Sequence, residues 1–254
     1  MPPGGGRAQN LRTMDGMPTR TVAALELPHR YGDPGGQLEL TDQLLGKVGG
    51  AQLALLPECA LTGYLSETSG YDLSAFAEPI DGPTARALAK LARKHRIALA
   101  GPLIELAGAE RFNAFVVFDA KGERIAHYRK RNPWFPEAWA TAGDLANPVF
   151  EVAGMRVTIA ICFDVHFLKG DAPAQLEQAD LLLFPSAWVE DGPVDSRDTL
   201  LPELARSFAV GILNANWGLG TPVVRGQGGS RLVAPSGRET RIASRVLVGE
   251  VEVP

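Results

Sequence analysis

Three residues of this sequence carry side chains that together could cleave an acyl bond: Glu58, Lys130 and Cys162. Each stands where an apolar, strand-like run turns polar. The runs are "LALLPECALTGY" around Glu58, "IAHYRKRNPWFPEAW" around Lys130 and "TIAICFDVHF" around Cys162. A cysteine attacks as its thiolate, which a nearby lysine cation favours. A carboxylate can take and return the proton, and the lysine can support an oxyanion. The three make a complete cysteine-hydrolase set if they converge, which spacing along a chain does not show.

Taken singly, each residue has an ordinary reading. Free cysteine is among the most buried residue types, so Cys162 alone reads as core filling. Glu58 alone is a surface carboxylate at a loop start, and Lys130 belongs to a solvated basic strand end. Strand alternation sets Glu58 and Cys59 on opposite faces, which makes Cys59 core. It also groups Tyr128 with Lys130, away from Arg129 and Arg131. Trp134, Phe135 and Trp139 follow the basic run at once. They predict a loop that either folds over something apolar or is anchored by core aromatics.

The elements that must position these residues are short apolar runs between turn signals. Strands are predicted over 21–27, 53–58, 97–103, 114–119, 158–164, 181–186, 211–216, 230–235 and 246–253. Several are apolar at nearly every position, which implies burial on both faces. Helices are predicted over 36–48 and 82–96, the latter with Pro83 early and basic residues in its last turn. A third covers 196–210, with Pro202 placing its true start near Leu201. "DAKGE" (119–123) reads as a hairpin turn. The alternation predicts an α/β fold, with sheets packed on each other and helices outside. No internal repeat is visible.

Composition narrows the function. Of 254 residues, 45% are hydrophobic and 21% charged, with a net charge of −4. That balance argues against nucleic acid or a membrane surface as partner, since both call for clustered positive charge. No apolar run approaches membrane-span length. Residues 1–20 read as a disordered leader without a secretory signal, and 21–254 as one domain. Two cysteines form no disulfide framework and suit a cytoplasmic location. The four histidines lack ligand-like spacing, so no metal is expected. "GLGTPVVRGQGG" leads into Pro222 rather than a helix, so no dinucleotide cofactor is expected either.

At this point the chain resembles the nitrilase, or carbon–nitrogen hydrolase, superfamily over about residues 21–253. "LALLPECALTGY" is similar to the segment around that family's catalytic glutamate, and "FNAFVVFDAKGERIAHYRK" to the hairpin leading to its lysine. "VTIAICFDVHF" resembles the strand and elbow around its cysteine. "ADLLLFPSAW" and "GGSRLVAPSGRE" resemble segments further on. The order and spacing of all five make the resemblance specific. It implies a four-layer α-β-β-α sandwich, a Glu58–Lys130–Cys162 triad, and homodimers or larger homo-oligomers. It also implies hydrolysis through a Cys162 thioester, with Lys130 and the Phe163 backbone N–H holding the oxyanion. Glu58 would protonate the leaving ammonia and then activate water. Glu137 is implied as a fourth member, although the loop carries one residue fewer before it than aliphatic amidases do.

Four features depart from the family pattern. After Cys162, "DVHFLKG" offers His166 in place of an arginine and a Pro-Glu pair. The helix "LPELARSFAV" keeps Arg206 but has Ala209 where a glutamate is common. The segment up to "NANWGLG" is short, and the chain ends at Pro254 without a long extension. Tyr64, Trp134, His166 and Trp188 are expected to line the substrate pocket. The leading expectation is an amidase acting on a small carboxamide or ω-amide and releasing ammonia. The alternatives are an N-carbamoyl amide hydrolase, with Glu190 and Asp191 holding an amine or Arg225 an acid, then a nitrilase. A catalytically silent binding or scaffold protein is the non-enzyme alternative, and an inert, high-pKa Cys162 thiol would favour it.

Overall fold

The computed structural model describes residues 18–68 and 70–253. Its strands are β1 Thr19–Leu25, β2 Leu53–Leu55, β3 Ala98–Ala107, β4 Glu110–Phe118, β5 Arg124–Arg129 and β6 Val149–Val152. They continue with β7 Met155–Ile159, β8 Leu181–Ser186, β9 Gly211–Asn216, β10 Arg231–Val233, β11 Glu239–Arg241 and β12 Val246–Glu252. The helices are α1 Pro34–Leu45, α2 Pro83–His95, α3 Leu168–Asp171, α4 Pro173–Gln178 and α5 Arg197–Phe208.

Alternation along the strands creates the layers. In β1, Val22 and Ala24 join the core between the two sheets, while Ala23 and Leu25 face outward to Leu44 and Leu45 of α1 and Leu88 of α2. From Val22 onward both faces are covered, which is why that stretch is apolar throughout. Two six-stranded sheets result, ordered β12-β1-β2-β3-β4-β5 and β11-β10-β9-β8-β7-β6. Helices α1 and α2 cover the first, and α4 and α5 pack on the second. This is the α-β-β-α sandwich expected from the resemblance.

The two sheets share one plan. In the first, β1, β2 and β3 run parallel, with β12 antiparallel on one side and the β3-β4-β5 meander on the other. In the second, β7, β8 and β9 run parallel, flanked by antiparallel β6 and by the β9-β10-β11 meander. Because β5 runs in the same direction as β2, Lys130 and Glu58 emerge at the same edge of their sheet.

Local chemistry sets the element ends. α2 begins at Pro83, buries Ala85, Leu88, Leu91 and Ala92 at helical spacing, and stops at Arg96 in the left-handed region (φ 53°). The hairpin at 119–123 forms as expected, with the Asp119 carboxylate accepting the N–H groups of Lys121 and Glu123.

Several expectations need correcting. β1 begins at Thr19, so Thr19 and Arg20 belong to the sheet rather than to the leader; residues 1–17 lie outside the described residues. The strand expected over 53–58 ends at Leu55, since Pro57 has no N–H to continue the ladder. The strand expected over 158–164 ends at Ile159, and Cys162–His166 form a 3-10 turn. Helix α5 starts at Arg197, ahead of Pro202. Its first turn is held by the Asp195 carboxylate, which accepts from the Arg197 N–H and guanidinium, so the proline sits inside a helix already anchored. Among the described residues, no helix is long and apolar enough to cross a membrane.

Candidate active site

Glu58, Lys130 and Glu137 meet in one buried cluster. Lys130 Nζ lies 2.7 Å from Glu58 Oε1 and 2.8 Å from Glu137 Oε2, with all three side chains fully enclosed. Lys130 is aimed by its backbone, whose N–H donates to the Asn113 carbonyl at 2.8 Å and whose carbonyl accepts from Gly143 N–H. Glu58 leaves β2 after Pro57. Its other oxygen accepts the Ala187 N–H at 2.8 Å, which ties the first sheet to the end of β8 in the second. Glu137 is fixed within its own loop by the Trp134 N–H at 2.8 Å.

Asn113 organises both carboxylates. Its side-chain amide donates to Glu58 Oε1 at 2.8 Å and to Glu137 Oε1 at 3.0 Å. Sequence reasoning did not single it out. The available signal was a lone polar residue inside the buried run "RFNAFVVF" of β4. Cys59 also lies here, with its thiol 3.9 Å from Asn113 Oδ1. It is buried as expected, but β2 has already ended, so strand alternation no longer separates it from Glu58.

Cys162 begins the 3-10 turn with φ 44°, a left-handed conformation rare for a side chain other than glycine. Such local strain is typical of residues held by their surroundings at functional sites. The residue before it is pinned by Asp164, also missed from sequence. Its buried carboxylate accepts the Ile161 N–H at 3.1 Å, the Asn132 N–H at 2.8 Å and the Tyr128 hydroxyl at 2.9 Å. As alternation predicted, Tyr128 and Lys130 both point inward.

The electrostatics follow from burial and charge. Burial alone would discharge Lys130, but Glu137 and Glu58 outweigh it and hold the ammonium charged well above its ordinary range. Burial pushes the Glu137 carboxyl up. The Cys162 thiol is pushed well up by burial and by the Glu58 charge, so it is neutral at rest.

A cavity of about 370 Å³ opens over Cys162. Cys162 forms part of its wall, whereas Glu58, Lys130 and Glu137 are not among the lining residues. Trp134, Phe163, His166 and Trp188 line it, as do Phe135, Glu190 and Asp191. Trp188 is set by its N–H donating to Asn216 Oδ1 at 3.0 Å. Tyr64, expected in the pocket, is not among the lining residues. The backbone N–H groups of Tyr64 and Leu65 donate to His29 Nε2 at 3.3 and 3.1 Å. The Tyr64 ring then packs against Tyr71, Trp134 and Trp217 behind the cavity wall. Arg225 is exposed and likewise absent from the lining.

The chain is thus a two-sheet sandwich with a buried glutamate–lysine–glutamate cluster and a cysteine held in a 3-10 turn. Residues 21–245 match the carbon–nitrogen hydrolase family, and the chain belongs to it. A hydrolase from the pqqF 5′ region of Pseudomonas protegens is 31% identical over 183 residues, 69% of this chain and 62% of that protein. A formamidase from Bacillus cereus is 30% identical over 138 residues, 53% of this chain and 41% of its own length. A beta-ureidopropionase from Arabidopsis thaliana is 27% identical over 152 residues, 55% of this chain and 36% of its own. The chain thus spans less than two thirds of the length of these relatives. Among solved structures, a nitrilase-superfamily amidase from Nesterenkonia sp. AN1 superposes with a TM-score of 0.78 at 26% identity, covering 92% of both chains. A CN-hydrolase superfamily protein from Xanthomonas campestris shares the fold, with a TM-score of 0.78 at 21% identity over 92% of this chain and 91% of that one.

Proposed function

We propose that the protein is an amidase, hydrolysing a primary carboxamide to a carboxylic acid and ammonia through a thioester on Cys162. The observation that carries this reading is the buried Glu58–Lys130–Glu137 cluster, together with a cysteine that forms part of a cavity wall. The amidase and formamidase relatives support it, and a double mutant of the Nesterenkonia amidase has been solved in complex with acrylamide.

Glu58 takes the Cys162 proton as sulfur attacks the amide carbon. Moving the proton between these two groups leaves the net charge of the buried cluster unchanged, which keeps the step accessible in a low-dielectric site. Charge then develops on the carbonyl oxygen. Lys130 has given donors to two carboxylates and retains a third. The Phe163 N–H, in the first turn of a 3-10 helix, has no acceptor within that helix. Both would stabilise the oxyanion, a contribution that commonly amounts to about 2.7–4 kcal/mol per donor. On collapse, the proton on Glu58 passes to the departing nitrogen and ammonia leaves. Water then enters, Glu58 removes its proton, the thioester is cleaved, and the acid departs with the thiol restored.

The raised Cys162 thiol is the observation that favours a second reading, a fold retained for binding with an inert cysteine. Ammonia release separates the two. Wild type and Cys162→Ala are compared on matched primary amides, N-carbamoyl compounds and nitriles. Release from amides, lost in the variant and accompanied by an acyl adduct on Cys162 by intact mass, supports the amidase. Release from another panel reassigns the substrate, and silence on all panels with no adduct supports the binding reading.

A further inference from the structure

The cavity over Cys162 is larger and more aromatic than a one- or two-carbon amide requires. Its volume of about 370 Å³ lies in the range of roughly 300–1,000 Å³ found for sites that hold organic ligands. The carboxamide head fills only the end at Cys162. Around the remaining space stand Trp134 and Phe135 from the loop after Lys130, Phe163 and His166 from the cysteine turn, and Trp188 beyond β8. Neighbouring rings touch: Trp134 and Phe135 centroids are 4.9 Å apart, Phe163 and His166 5.2 Å, His166 and Trp188 5.7 Å.

The polar atoms in this wall are largely engaged with one another. The Trp188 indole N–H donates to Glu190 at 3.0 Å, and the same carboxylate accepts the Ser196 N–H at 2.8 Å and hydroxyl at 2.9 Å. His166 is lowered by burial and so presents a neutral ring. The charge facing the cavity is negative. Burial pushes Glu190 up, but its hydrogen bonds outweigh that and keep it ionised, while exposed Asp191 stands beside it. Among the described residues no lysine or arginine lines the cavity. Arg197 lies 5.8 Å from the Trp188 ring and is held by Asp195, and Lys130 is enclosed and paired with Glu58 and Glu137.

Resting on the amidase reading, we infer that the substrate's acyl group is flat and apolar, an aryl or arylalkyl group, and carries no carboxylate. A ring packed against these walls removes apolar surface from water on both partners and gains edge and stacking contacts. A formyl or acetyl group leaves the walls wet. An anion placed there loses its hydration and meets Glu190 and Asp191 with no compensating cation. Half-amides of dicarboxylic acids and N-carbamoyl amino acids therefore fall outside the site's range.

The test compares kcat/KM for ammonia release on phenylacetamide against acetamide, and on hexanamide against the monoamide of adipic acid. The same amides are titrated into Cys162→Ala, with the fluorescence of the wall tryptophans reporting occupancy. Phenylacetamide should exceed acetamide by about thirtyfold or more, from the added apolar burial. Hexanamide should exceed its carboxylate counterpart by about tenfold or more. Phe135, 83% exposed at the mouth, can be truncated at little folding cost, and Phe135→Ala should cut the phenylacetamide-to-acetamide ratio at least threefold. Asp191→Lys should raise the carboxylate-to-neutral ratio about tenfold. Equal handling of phenylacetamide and acetamide, or a preference for the adipic monoamide, overturns the inference while leaving an amidase. Preferential binding of phenylacetamide to Cys162→Ala, with no turnover of any amide by wild type, upholds the inference and overturns the hydrolytic reading.

Discussion

Tyr128 donates its hydroxyl to Asp164 at 2.9 Å, and this bond joins the strand that ends at the lysine to the turn that carries the cysteine. The same carboxylate receives the Asn132 N–H. Tyr128 and Asn132 each stand two residues from Lys130, and Asp164 stands two residues after Cys162. One buried carboxylate thus brackets the lysine from both sides while holding the N–H that precedes the cysteine. Lys130 follows β5 and Cys162 follows β7, strands of different sheets, so their separation is set across the sandwich and not along the chain.

Tyr128→Phe removes that bond and little volume. A hydrogen bond to a charged group is worth about 1.5–3 kcal/mol, so the variant should unfold at lower temperature. If the bond also sets the lysine against the cysteine, kcat should fall about tenfold while KM stays near wild type. Thermal denaturation and initial rates decide the matter. A lower Tm with unaltered kcat would leave the bond a purely structural role.

The thiol predicts a change of opposite sign in two measurements. Glu58 raises Cys162, and Lys130 opposes it. Glu58→Gln removes the carboxylate charge and leaves the ammonium, so the thiolate becomes easier to form. Alkylation of Cys162 by iodoacetamide at pH 7 should quicken, by about tenfold for each unit the thiol falls. Turnover should nevertheless collapse by about 10²–10⁴-fold, because the proton carrier is gone. Cys59→Ala serves as the background for labelling. Slower alkylation in Glu58→Gln would contradict the charge assignment.

The parts of this arrangement legible in the sequence are those fixed by local pattern. β8 and β9 fall at 181–186 and 211–216 as read, since each is a continuous buried run with a turn on either side. The cysteine turn was invisible because Ile159, Ala160 and Ile161 continue the apolar run. What ends the strand is a side-chain capture of the Ile161 N–H by Asp164 together with the Cys162 φ, and neither leaves a trace in hydropathy. Asn113 was hidden for the converse reason. It sits mid-strand, where pattern reports burial, and its two carboxylate partners lie 55 and 24 residues away. The shared plan of the two sheets has no sequence repeat because strand order constrains apolar alternation and not residue identity. Tyr64 and Trp188 looked alike as aromatics near motif ends. Only the three-dimensional path of the chain after Glu58, pinned by His29, turns one behind the wall and leaves the other in it.

Acid should weaken the strand that presents the lysine. Glu105 on β3 accepts from the Arg129 guanidinium at 2.9 and 2.6 Å and from the His127 ring at 2.7 Å. Burial alone would raise this carboxyl, but Arg129 and His127 outweigh it and bring it from 4.5 to about 2. A depressed carboxylate contributes stability that is complete above its unfolded value and is lost as pH falls through its folded one. The contribution, about 2 kcal/mol after allowing for partial solvent screening, should therefore disappear between pH 4.5 and about 2. Chemical denaturation across that window, on wild type and Glu105→Gln, should give curves that converge at the acid end and separate above it. Parallel curves would place the acid sensitivity elsewhere.

Asn113 offers the sharpest separation between holding the site and merely filling it. Its amide spans Glu58 and Glu137, so Asn113→Ala leaves each carboxylate one donor short and opens a small void. Unmet hydrogen bonds to buried charged groups cost about 1.5–3 kcal/mol each, and the carboxylates should answer by rotating or taking up a proton. Burial already pushes Glu137 up, and a proton gained there weakens its hold on the Lys130 ammonium. The acid limb of the kcat/KM profile should therefore move to higher pH, with kcat at neutral pH reduced about 10- to 100-fold. Asn113→Asp sharpens the test. It conserves volume but replaces two donors with a third carboxylate beside Glu58 and Glu137, so its acid limb should move further in the same direction. A limb that stays in place in both variants, with activity lost only in proportion to lost folding, would assign Asn113 to packing alone.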